Sequence, residues 1–264
     1  MEKKRKQIAL VTGASSGMGR CFVRQIAATY PLLQEIWVIA RREKALRELK
    51  TEAEQKSGRG RPEIRILPLD LSRKHSFSEL ELLLAKEKPR LRLLVNGAGV
   101  GQNGPVEKQG ADGICAMTDV NCRALTLVTR LCLPYMERGS RILELASGSA
   151  FLPQPGFAVY AASKAYVLSF SRALREEVKK RGISVTAVCP GPVDTAFFQA
   201  GGIRLSPVKR RFLADADRVV EKALRDARKR KCLSIYGISM KLVYMASAVL
   251  PEGMLVKISA ALLR

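Results

Sequence analysis

The chain has 264 residues, which is enough for one α/β domain with a substantial hydrophobic core. Its composition is 47% hydrophobic, 6% aromatic and 27% charged, which is typical of a globular protein and excludes a collagen-like, disordered or disulfide-scaffold chain. Lysine and arginine number 46 against 24 acidic residues, so the net charge is +22.

Short β-branched runs alternate with longer amphipathic segments along the chain. Strands are predicted at 7–13, 35–40, 63–69, 92–99, 140–147, 183–191 and 232–236. Helices are predicted near 17–29, 43–56, 76–87, 112–133, 160–180 and 214–229. This alternation indicates right-handed βαβ units. We therefore predict a single-domain, Rossmann-type α/β fold, with a doubly wound parallel sheet of about seven strands and helices on both faces.

Three glycines, Gly13, Gly17 and Gly19, lie between the first strand and the helix that follows it. Glycine allows a sharp turn and a close approach of the backbone to a pyrophosphate, while the helix N-terminus offers N–H donors. The spacing is G-x-x-x-G-x-G instead of the commoner G-x-G-x-x-G, and a tight turn without a ligand is the alternative. We predict that Ser15, Ser16 and Met18 bind a dinucleotide together with these glycines.

Two arginines, Arg41 and Arg42, follow the second strand, where NAD-preferring enzymes usually carry an acid that holds the ribose. A guanidinium group binds phosphate in a fork that lysine cannot reproduce. Two solvated arginines are the alternative, but cations at a helix N-terminus face an unfavourable dipole. The pattern therefore predicts NADP(H) as the cofactor in preference to NAD(H).

The helix predicted near 160–180 carries Tyr160 and Lys164 one turn apart in the apolar stretch VYAASKAYVLSF. A free phenol has a pKa of about 10, which is poorly matched to proton transfer at neutral pH. A neighbouring ammonium favours the phenolate, so we expect Lys164 to lower the pKa of Tyr160. The alternative is that both side chains simply reach the solvent.

The C-terminal segment 237–264 is apolar but is interrupted by charged residues and by Pro251, so no continuous membrane span is predicted. Two short helices broken at the proline are expected, as an extension that packs on a domain formed by residues 1–236. This extension could cap a substrate pocket, form a subunit contact or lie on a bilayer surface.

The six cysteines form no C-x-x-C pair and His75 is the only histidine, so no metal site is predicted. Buried, reduced thiols are expected. The first residues do not resemble a secretory signal, which favours a cytoplasmic protein, with membrane association as an alternative. The basic residues are scattered and lack an aromatic-interleaved stripe, so a solvated surface or an anionic membrane is favoured over nucleic acid.

Several motifs, taken in order over about residues 7–200, resemble the short-chain dehydrogenase/reductase family. They are TGASSGMG (12–19), DL (70–71), NGAG (96–99), Asn121, Ser147, YAASK (160–164) and PGPVDT (190–195). The resemblance implies an oxidoreductase that interconverts a secondary alcohol and a ketone. It makes Tyr160 the proton donor or acceptor and Lys164 also a partner of the nicotinamide ribose. It further implies that Ser147 stabilises the substrate oxygen and that Asn121 holds a water in the proton relay, a surface amide being the alternative for Asn121.

The resemblance extends to further cofactor contacts. Asp70 matches an acid that contacts the adenine ring, although it could also cap the next helix. The backbone approach to the cofactor maps to Asn96, Gly97, Ala98 and Gly99, where Gly97 replaces the second asparagine of the usual NNAG. The loop over the nicotinamide maps to Pro190, Gly191, Val193 and Thr195, with Thr195 as a partner of the carboxamide.

Substrate specificity is expected in the segment 148–159, in the loop 196–212 and in the C-terminal tail. The predicted substrate contacts are Ser149, Phe151, Phe157 and Phe197, with ordinary core packing as the alternative for the phenylalanines. The segment resembles hydroxysteroid dehydrogenases and long-chain 3-ketoacyl reductases, which implies a lipophilic substrate such as a hydroxysteroid, a bile acid or a fatty-acyl ketone.

Two other functions remain open from the sequence. One is a cofactor-bound, non-catalytic binding or regulatory protein, which the complete Ser–Tyr–Lys–Asn set disfavours. The other is a reductase of small polyols or of ketoacyl groups on an acidic acyl carrier protein, which the basic surface would suit. The resemblance also implies a homodimer or homotetramer that associates through the helices near 112–133 and 160–180.

Overall fold

One parallel sheet organises the chain, in a computed structural model that describes residues 5–55, 62–202 and 212–263. Its strands are β1 (Gln7–Thr12), β2 (Glu35–Ile39), β3 (Glu63–Leu67), β4 (Arg90–Asn96), β5 (Arg141–Leu145), β6 (Ser184–Val188) and β7 (Leu233–Ser234). The strand order is β3-β2-β1-β4-β5-β6-β7, and each neighbouring pair is parallel. The chain therefore reverses its direction of winding between β1 and β4, which opens a crevice at the carboxyl ends of these strands.

Helices cover both faces of the sheet. They are α1 (Gly17–Thr29), α2 (Glu43–Gln55), α3 (His75–Glu87), α4 (Ala111–Thr118), α5 (Leu125–Cys132), α6 (Ala158–Glu177), α7 (Phe197–Ala200), α8 (Ala216–Arg228), α9 (Ile238–Val249) and α10 (Glu252–Leu263). Side chains of α1, α2 and α8 pack on one face, and those of α3, α5 and α6 pack on the other. Within β1 the alternation follows the strand period, since Ala9 and Val11 enter the first layer and Ile8 and Leu10 the second. The predicted doubly wound fold is confirmed.

The structure differs from the predicted elements at two places. The helix expected near 112–133 is broken by a π-helical turn, Asp119–Ala124, between α4 and α5. Such turns are often found at functional sites. The strand expected at 232–236 is only two residues long, Leu233–Ser234, because it is an edge strand that pairs with β6 at just two positions.

The C-terminal residues form α9 and α10, which are separated at Leu250 and Pro251. The inner side of α9 packs on the rest of the chain, where the Tyr244 ring lies 5.0 Å from that of Phe151. Met240 and Val243 join the same apolar cluster. Among the helices of the described residues, none has the length and apolar character needed to cross a bilayer.

The six cysteines are free thiols, and Cys21, Cys132 and Cys189 are buried as expected. Cys115 is exposed on α4, so the expectation that the thiols are buried is wrong for this residue. Cys122 and Cys232 are partly buried.

Candidate active site

The turn between β1 and α1 is built on glycine. Gly13 has a φ of 69°, a left-handed conformation that other residues rarely adopt. A Cβ atom on Gly19 would lie 2.1 Å from the Gly13 carbonyl oxygen, so no side chain fits there. Ser16 is the N-cap of α1, with an extended backbone and no hydrogen bond from its side chain to the helix end. The first turn of α1 therefore offers backbone N–H groups at the crevice.

The loop after β4 presses against the glycine turn. A Cβ atom on Gly97 would lie 2.7 Å from the Thr12 carbonyl oxygen, and one on Gly13 would lie 2.6 Å from the Gly97 carbonyl oxygen. The Ala98 N–H donates a hydrogen bond of 3.1 Å to the Thr12 hydroxyl. A side chain at position 97 would therefore press on the backbone of β1.

Asn96 stabilises the sheet beneath this loop. Its Nδ2 donates to the Thr129 hydroxyl at 2.8 Å and to a carboxyl oxygen of Glu144 at 3.1 Å. Glu144 is fully buried in β5. Burial raises the pKa of Glu144 to about 8, although hydrogen bonds from Asn96 and Thr129 and the charge of Lys164 act in the opposite direction. Sequence reasoning missed Glu144, because a single acid within a strand gives no signal of its burial.

The ends of β2 and β3 bring basic and acidic groups to the same rim of the crevice. Arg41 and Arg42 are exposed, and an Nη atom of Arg42 lies 3.4 Å from the Ser15 hydroxyl, to which it donates. Burial alone would raise the pKa of Asp70, but hydrogen bonds from Ser72 and the charge of Arg41 lower it. These groups therefore meet within reach of the glycine turn.

Asp70 does not cap the next helix, so that alternative is wrong. Its carboxylate accepts hydrogen bonds from the Ser72 N–H at 3.0 Å and the Ser72 hydroxyl at 2.8 Å. Helix α3 begins further on, at His75, with Lys74 at the N-cap position. Asp70 instead shapes the loop that follows β3.

Tyr160 and Lys164 are both buried on α6, at 7% and 5% exposure, so neither reaches the solvent. Lys164 donates a hydrogen bond of 2.7 Å to the Leu145 carbonyl oxygen at the end of β5. Its Nζ atom lies 5.7 Å from the centroid of the Tyr160 ring. The two side chains therefore face the same point at the carboxyl edge of the sheet.

The pKa values of this pair differ from the expectation. Burial raises the pKa of Tyr160 to about 12, and a hydrogen bond with Ser147 only partly opposes this shift. Burial lowers the pKa of Lys164 to about 8, against the influence of Cys122, Cys189 and Glu144. The expected lowering of the phenol pKa is thus not found, because desolvation of the phenolate outweighs the groups that stabilise it.

Ser147 follows β5 with an extended backbone, and its hydroxyl accepts a hydrogen bond of 3.1 Å from the Ser149 N–H. The next residue is also fixed, since the Gly148 N–H donates to the Pro190 carbonyl oxygen at 2.7 Å. Ser149 thus positions Ser147 through its main chain. The loop after β6 and the segment after β5 are held together at the site.

Asn121 lies in the π-helical turn and is completely buried, so the alternative of a surface amide is wrong. Its Oδ1 accepts from the Val100 N–H at 2.9 Å, and its Nδ2 donates to the Val100 carbonyl at 2.8 Å and to Ser163 at 3.0 Å. A Cβ atom on Gly99 would lie 3.3 Å from Asn121 Oδ1 and 3.4 Å from Lys164 Nζ. The side chain therefore fixes the loop after β4 beside the lysine, and its amide atoms are already engaged.

The loop after β6 reaches the glycine turn at the start of α1. The Thr195 Cβ lies 3.3 Å from the position of a Cβ on Gly17, so the loop passes over the start of α1. Val193 forms an isolated parallel bridge with Ala214, which anchors the loop to the segment before α8. Of the loop predicted at 196–212, residues 203–211 lie outside the described residues.

Two aromatic rings flank Tyr160. The Phe157 ring stacks on it with centroids 4.3 Å apart, and the Phe197 ring lies 5.6 Å away. Phe151 does not join them, since its ring packs on Tyr244 in an apolar cluster. The alternative of core packing is therefore correct for Phe151.

A cavity of ≈ 390 Å³ lies beside these rings. It is lined by Val100, Gly101, Gln102, Gly113, Ala116, Met117, Gly201 and Gly202. A Cβ atom on Gly101 would lie 2.6 Å from the Phe197 Cζ and 3.0 Å from the Tyr160 Cδ2. Gly101 thus lies between the cavity and the rings of Tyr160 and Phe197. The sequence could have indicated it, since it follows the NGAG motif by two residues.

The residues of the crevice fit a dinucleotide. The first turn of α1 presents backbone N–H groups that the Ser16 side chain does not cap, and such groups are suited to bind a phosphate. At one end of the crevice lie Arg41, Arg42 and Asp70. At the other end lie Lys164, Ser147 and Tyr160. A ligand bound along the carboxyl ends of β1 and β4 would therefore reach both groups.

Comparisons with known proteins agree with this geometry. Residues 7–202 match the family model of short chain dehydrogenases. The chain belongs to this family, and the family supports an oxidoreductase that acts on CH–OH groups and uses a nicotinamide dinucleotide.

Particular relatives differ in their substrates. The chain is 34% identical to sulfoacetaldehyde reductase 2 of Chromohalobacter salexigens, over 72% of this chain and 74% of that protein. It is 30% identical to human 17-beta-hydroxysteroid dehydrogenase type 3, over 72% of this chain and 60% of that protein. A short-chain dehydrogenase from Sphingobium yanoikuyae in complex with NADPH superimposes with a TM-score of 0.79 and 28% identity, over 92% of this chain and 93% of that one.

Proposed function

We propose that the protein is an NADP(H)-dependent reductase of ketones that also catalyses the reverse oxidation of secondary alcohols. The observation that carries the proposal is the convergence of Tyr160, Ser147 and the buried Lys164 at the carboxyl edge of β5, across the crevice from the glycine turn. The nicotinamide, when bound, supplies or accepts the hydride.

The side chains divide the remaining chemistry. Ser147 and Tyr160 hold the substrate oxygen by hydrogen bonds, and Tyr160 donates a proton to it as the carbonyl is reduced. The pKa of Tyr160 is raised to about 12, so the phenol is protonated at neutral pH and carries the proton that it donates. The ammonium of Lys164 stabilises the phenolate that remains after the transfer.

The cofactor proposal depends on Arg41 and Arg42. Both arginines are exposed at the end of β2, and Arg42 reaches Ser15 in the glycine turn. A 2′-phosphate placed between them would receive charge-assisted hydrogen bonds from the guanidinium groups. The NADPH complex of the Sphingobium relative supports this choice.

We propose a lipophilic ketone, such as a ketosteroid or a fatty-acyl ketone, as the substrate. Phe157 and Phe197 flank the reactive phenol with their rings, and the adjoining cavity is lined mainly by small and apolar residues. The similarity to 17-beta-hydroxysteroid dehydrogenase type 3 supports this class. The similarity to sulfoacetaldehyde reductase 2 favours a second candidate, a small polar carbonyl compound.

The test is the reduction of a panel of ketosteroids, 3-ketoacyl thioesters and sulfoacetaldehyde with NADPH by the wild type and by Tyr160→Phe. We expect turnover of the lipophilic ketones, and a loss of kcat on the order of 10³-fold in the variant with unchanged affinity for NADPH. Turnover of sulfoacetaldehyde alone would select the second candidate. Unchanged turnover in Tyr160→Phe would contradict the assignment of the proton donor.

A further inference from the structure

Helix α9 is apolar on two opposite sides. Its inner side carries Met240, Val243 and Tyr244, which pack with Phe151 and Ile235. A helix that is apolar all round is normally buried on all sides. The opposite side of α9 is instead open to solvent.

Four large apolar side chains form this open side. Ile238, Leu242, Met245 and Val249 are 77%, 59%, 62% and 83% exposed. At 3.6 residues per turn they fall within an arc of about 60°. We call these four residues the α9 stripe. Two more exposed apolar residues, Met254 and Ile258, lie one turn apart on α10, so half of the twelve exposed large apolar residues among those described lie on these two helices.

We infer that the α9 stripe binds the surface of an anionic phospholipid bilayer. Exposed apolar residues that cluster on one helix face mark an interaction site, and Lys241 on α9 and Lys257 on α10 are exposed. The only acidic residue between positions 237 and 264 is Glu252, and the chain as a whole carries +22. Such a surface complements negatively charged headgroups.

The dimensions favour a surface position over a spanning one. Helix α9 has 12 residues, which corresponds to roughly 18 Å against a hydrocarbon core of about 30 Å. A second copy of the chain is a weaker candidate, because two chains that each carry a net charge of +22 repel each other.

The position of α9 gives the docking a consequence for the site. Met240 lies against the glycines that flank the site, since its Sδ is 3.0 Å from the position of a Cβ on Gly191 and its Cε is 2.2 Å from one on Gly148. Gly148 follows Ser147 directly. The side of α9 opposite the stripe therefore contacts the loops that position Ser147, which brings the site close to the bilayer.

Flotation of the purified full-length protein with vesicles tests the inference. The vesicles are phosphatidylcholine alone or phosphatidylcholine with about 30% phosphatidylglycerol. The test variant is Leu242→Ser/Met245→Ser/Val249→Ser. The matched control is Leu32→Ser/Leu82→Ser, which removes two leucines that are each 72% exposed but lie outside the C-terminal helices. Circular dichroism and thermal unfolding show whether each variant is folded.

We expect the wild type and the control to bind anionic vesicles at least about tenfold more strongly than neutral vesicles. On anionic vesicles, both should also bind at least about tenfold more strongly than the triple variant. Binding should weaken at about 0.5 M salt. Equal binding by a folded triple variant, or no binding of the wild type to anionic vesicles, would overturn the inference. So would a concentration-dependent dimer that the triple substitution abolishes without any vesicle binding. The readout does not involve catalysis, so its outcome is separate from that of the proposed reaction.

Discussion

Lys164 donates its hydrogen bond to the Leu145 carbonyl at the end of β5, at 2.7 Å, and not to the phenol of Tyr160 on its own helix. The Nζ atom faces the tyrosine without a hydrogen bond, 5.7 Å from the ring centroid. The charge that a phenolate would meet there depends on whether the buried amine is protonated. The pKa of Lys164, lowered to about 8 by burial, places this change of charge near physiological pH.

We predict that kcat/KM for ketone reduction is constant below pH 8 and falls above it. The ammonium that stabilises the Tyr160 phenolate is lost as the pH rises through the pKa of Lys164. Lys164→Arg keeps the positive charge at all accessible pH values. This variant should be slower, because the guanidinium fits the site less well, but it should lose the decrease near pH 8. A decrease that persists in Lys164→Arg would assign it to another group. The measurement is a pH–rate profile from about pH 6 to pH 10.

Much of the fold follows from the sequence, because strand periodicity, the handedness of βαβ crossovers and the glycine turn are local properties. The glycine contacts also follow, since the close approach of Gly13 and Gly19 is set within one turn of chain. The interruption of the helix at Asn121 could not be predicted. It depends on hydrogen bonds to Val100, which comes from a different segment.

The electrostatics of the site could be predicted only in part. The spacing of Tyr160 and Lys164 gives their shared helix face but not their burial, and burial decides the direction of both pKa shifts. Glu144 illustrates the same limit. Its partners Asn96 and Thr129 come from β4 and α5, so the sequence of β5 alone does not show that an acid is accommodated there.

Gly19→Ala is predicted to damage the cofactor site. The added methyl group would lie 2.1 Å from the Gly13 carbonyl oxygen, and this backbone atom cannot move aside without distorting the glycine turn. We expect at least a tenfold loss of affinity for NADPH and a loss of stability of about 1–3 kcal/mol. Fluorescence titration and urea unfolding measure the two effects.

Gly110→Ala is the control for this variant. Gly110 has no heavy atom within 4 Å of its Cβ position and a φ of −67°. It precedes α4, where alanine costs at most about 1 kcal/mol as a cap. A loss of NADPH affinity in Gly110→Ala as large as that in Gly19→Ala would remove the steric explanation.

Glu144→Gln is predicted to change how stability depends on pH. The folded-state pKa of about 8 lies above the usual value of 4.5. Between these values the unfolded chain has lost the proton that the folded chain keeps, so stability falls as the pH rises from about 4.5 to about 8. The slope is at most about 1.4 kcal/mol per pH unit.

Glutamine cannot ionise, so Glu144→Gln should lack this part of the slope and keep an acceptor for Asn96 and Thr129. Urea unfolding at pH 5.5 and at pH 8 measures the free energy of unfolding at each pH. The difference between these two free energies should be smaller in the variant. Equal differences in the two proteins would mean that Glu144 is ionised in the folded state throughout this range.

Arg41→Ala/Arg42→Ala is predicted to change the choice of cofactor. Both side chains are exposed at the end of β2, and a 2′-phosphate there would lose two charge-assisted contacts. We expect the dissociation constant of NADPH to rise at least about tenfold, while that of NADH changes little.

The control is Arg47→Ala, one turn further along α2, where the arginine pairs with Glu43 instead of facing the crevice. Titrations of each variant with NADPH and with NADH measure both dissociation constants, and the Arg47→Ala variant shows the effect of removing one positive charge elsewhere on the surface. Parallel losses of NADPH and NADH affinity would show that the arginines act on the shared part of the dinucleotide, and the preference for NADP(H) would then have no basis in these residues.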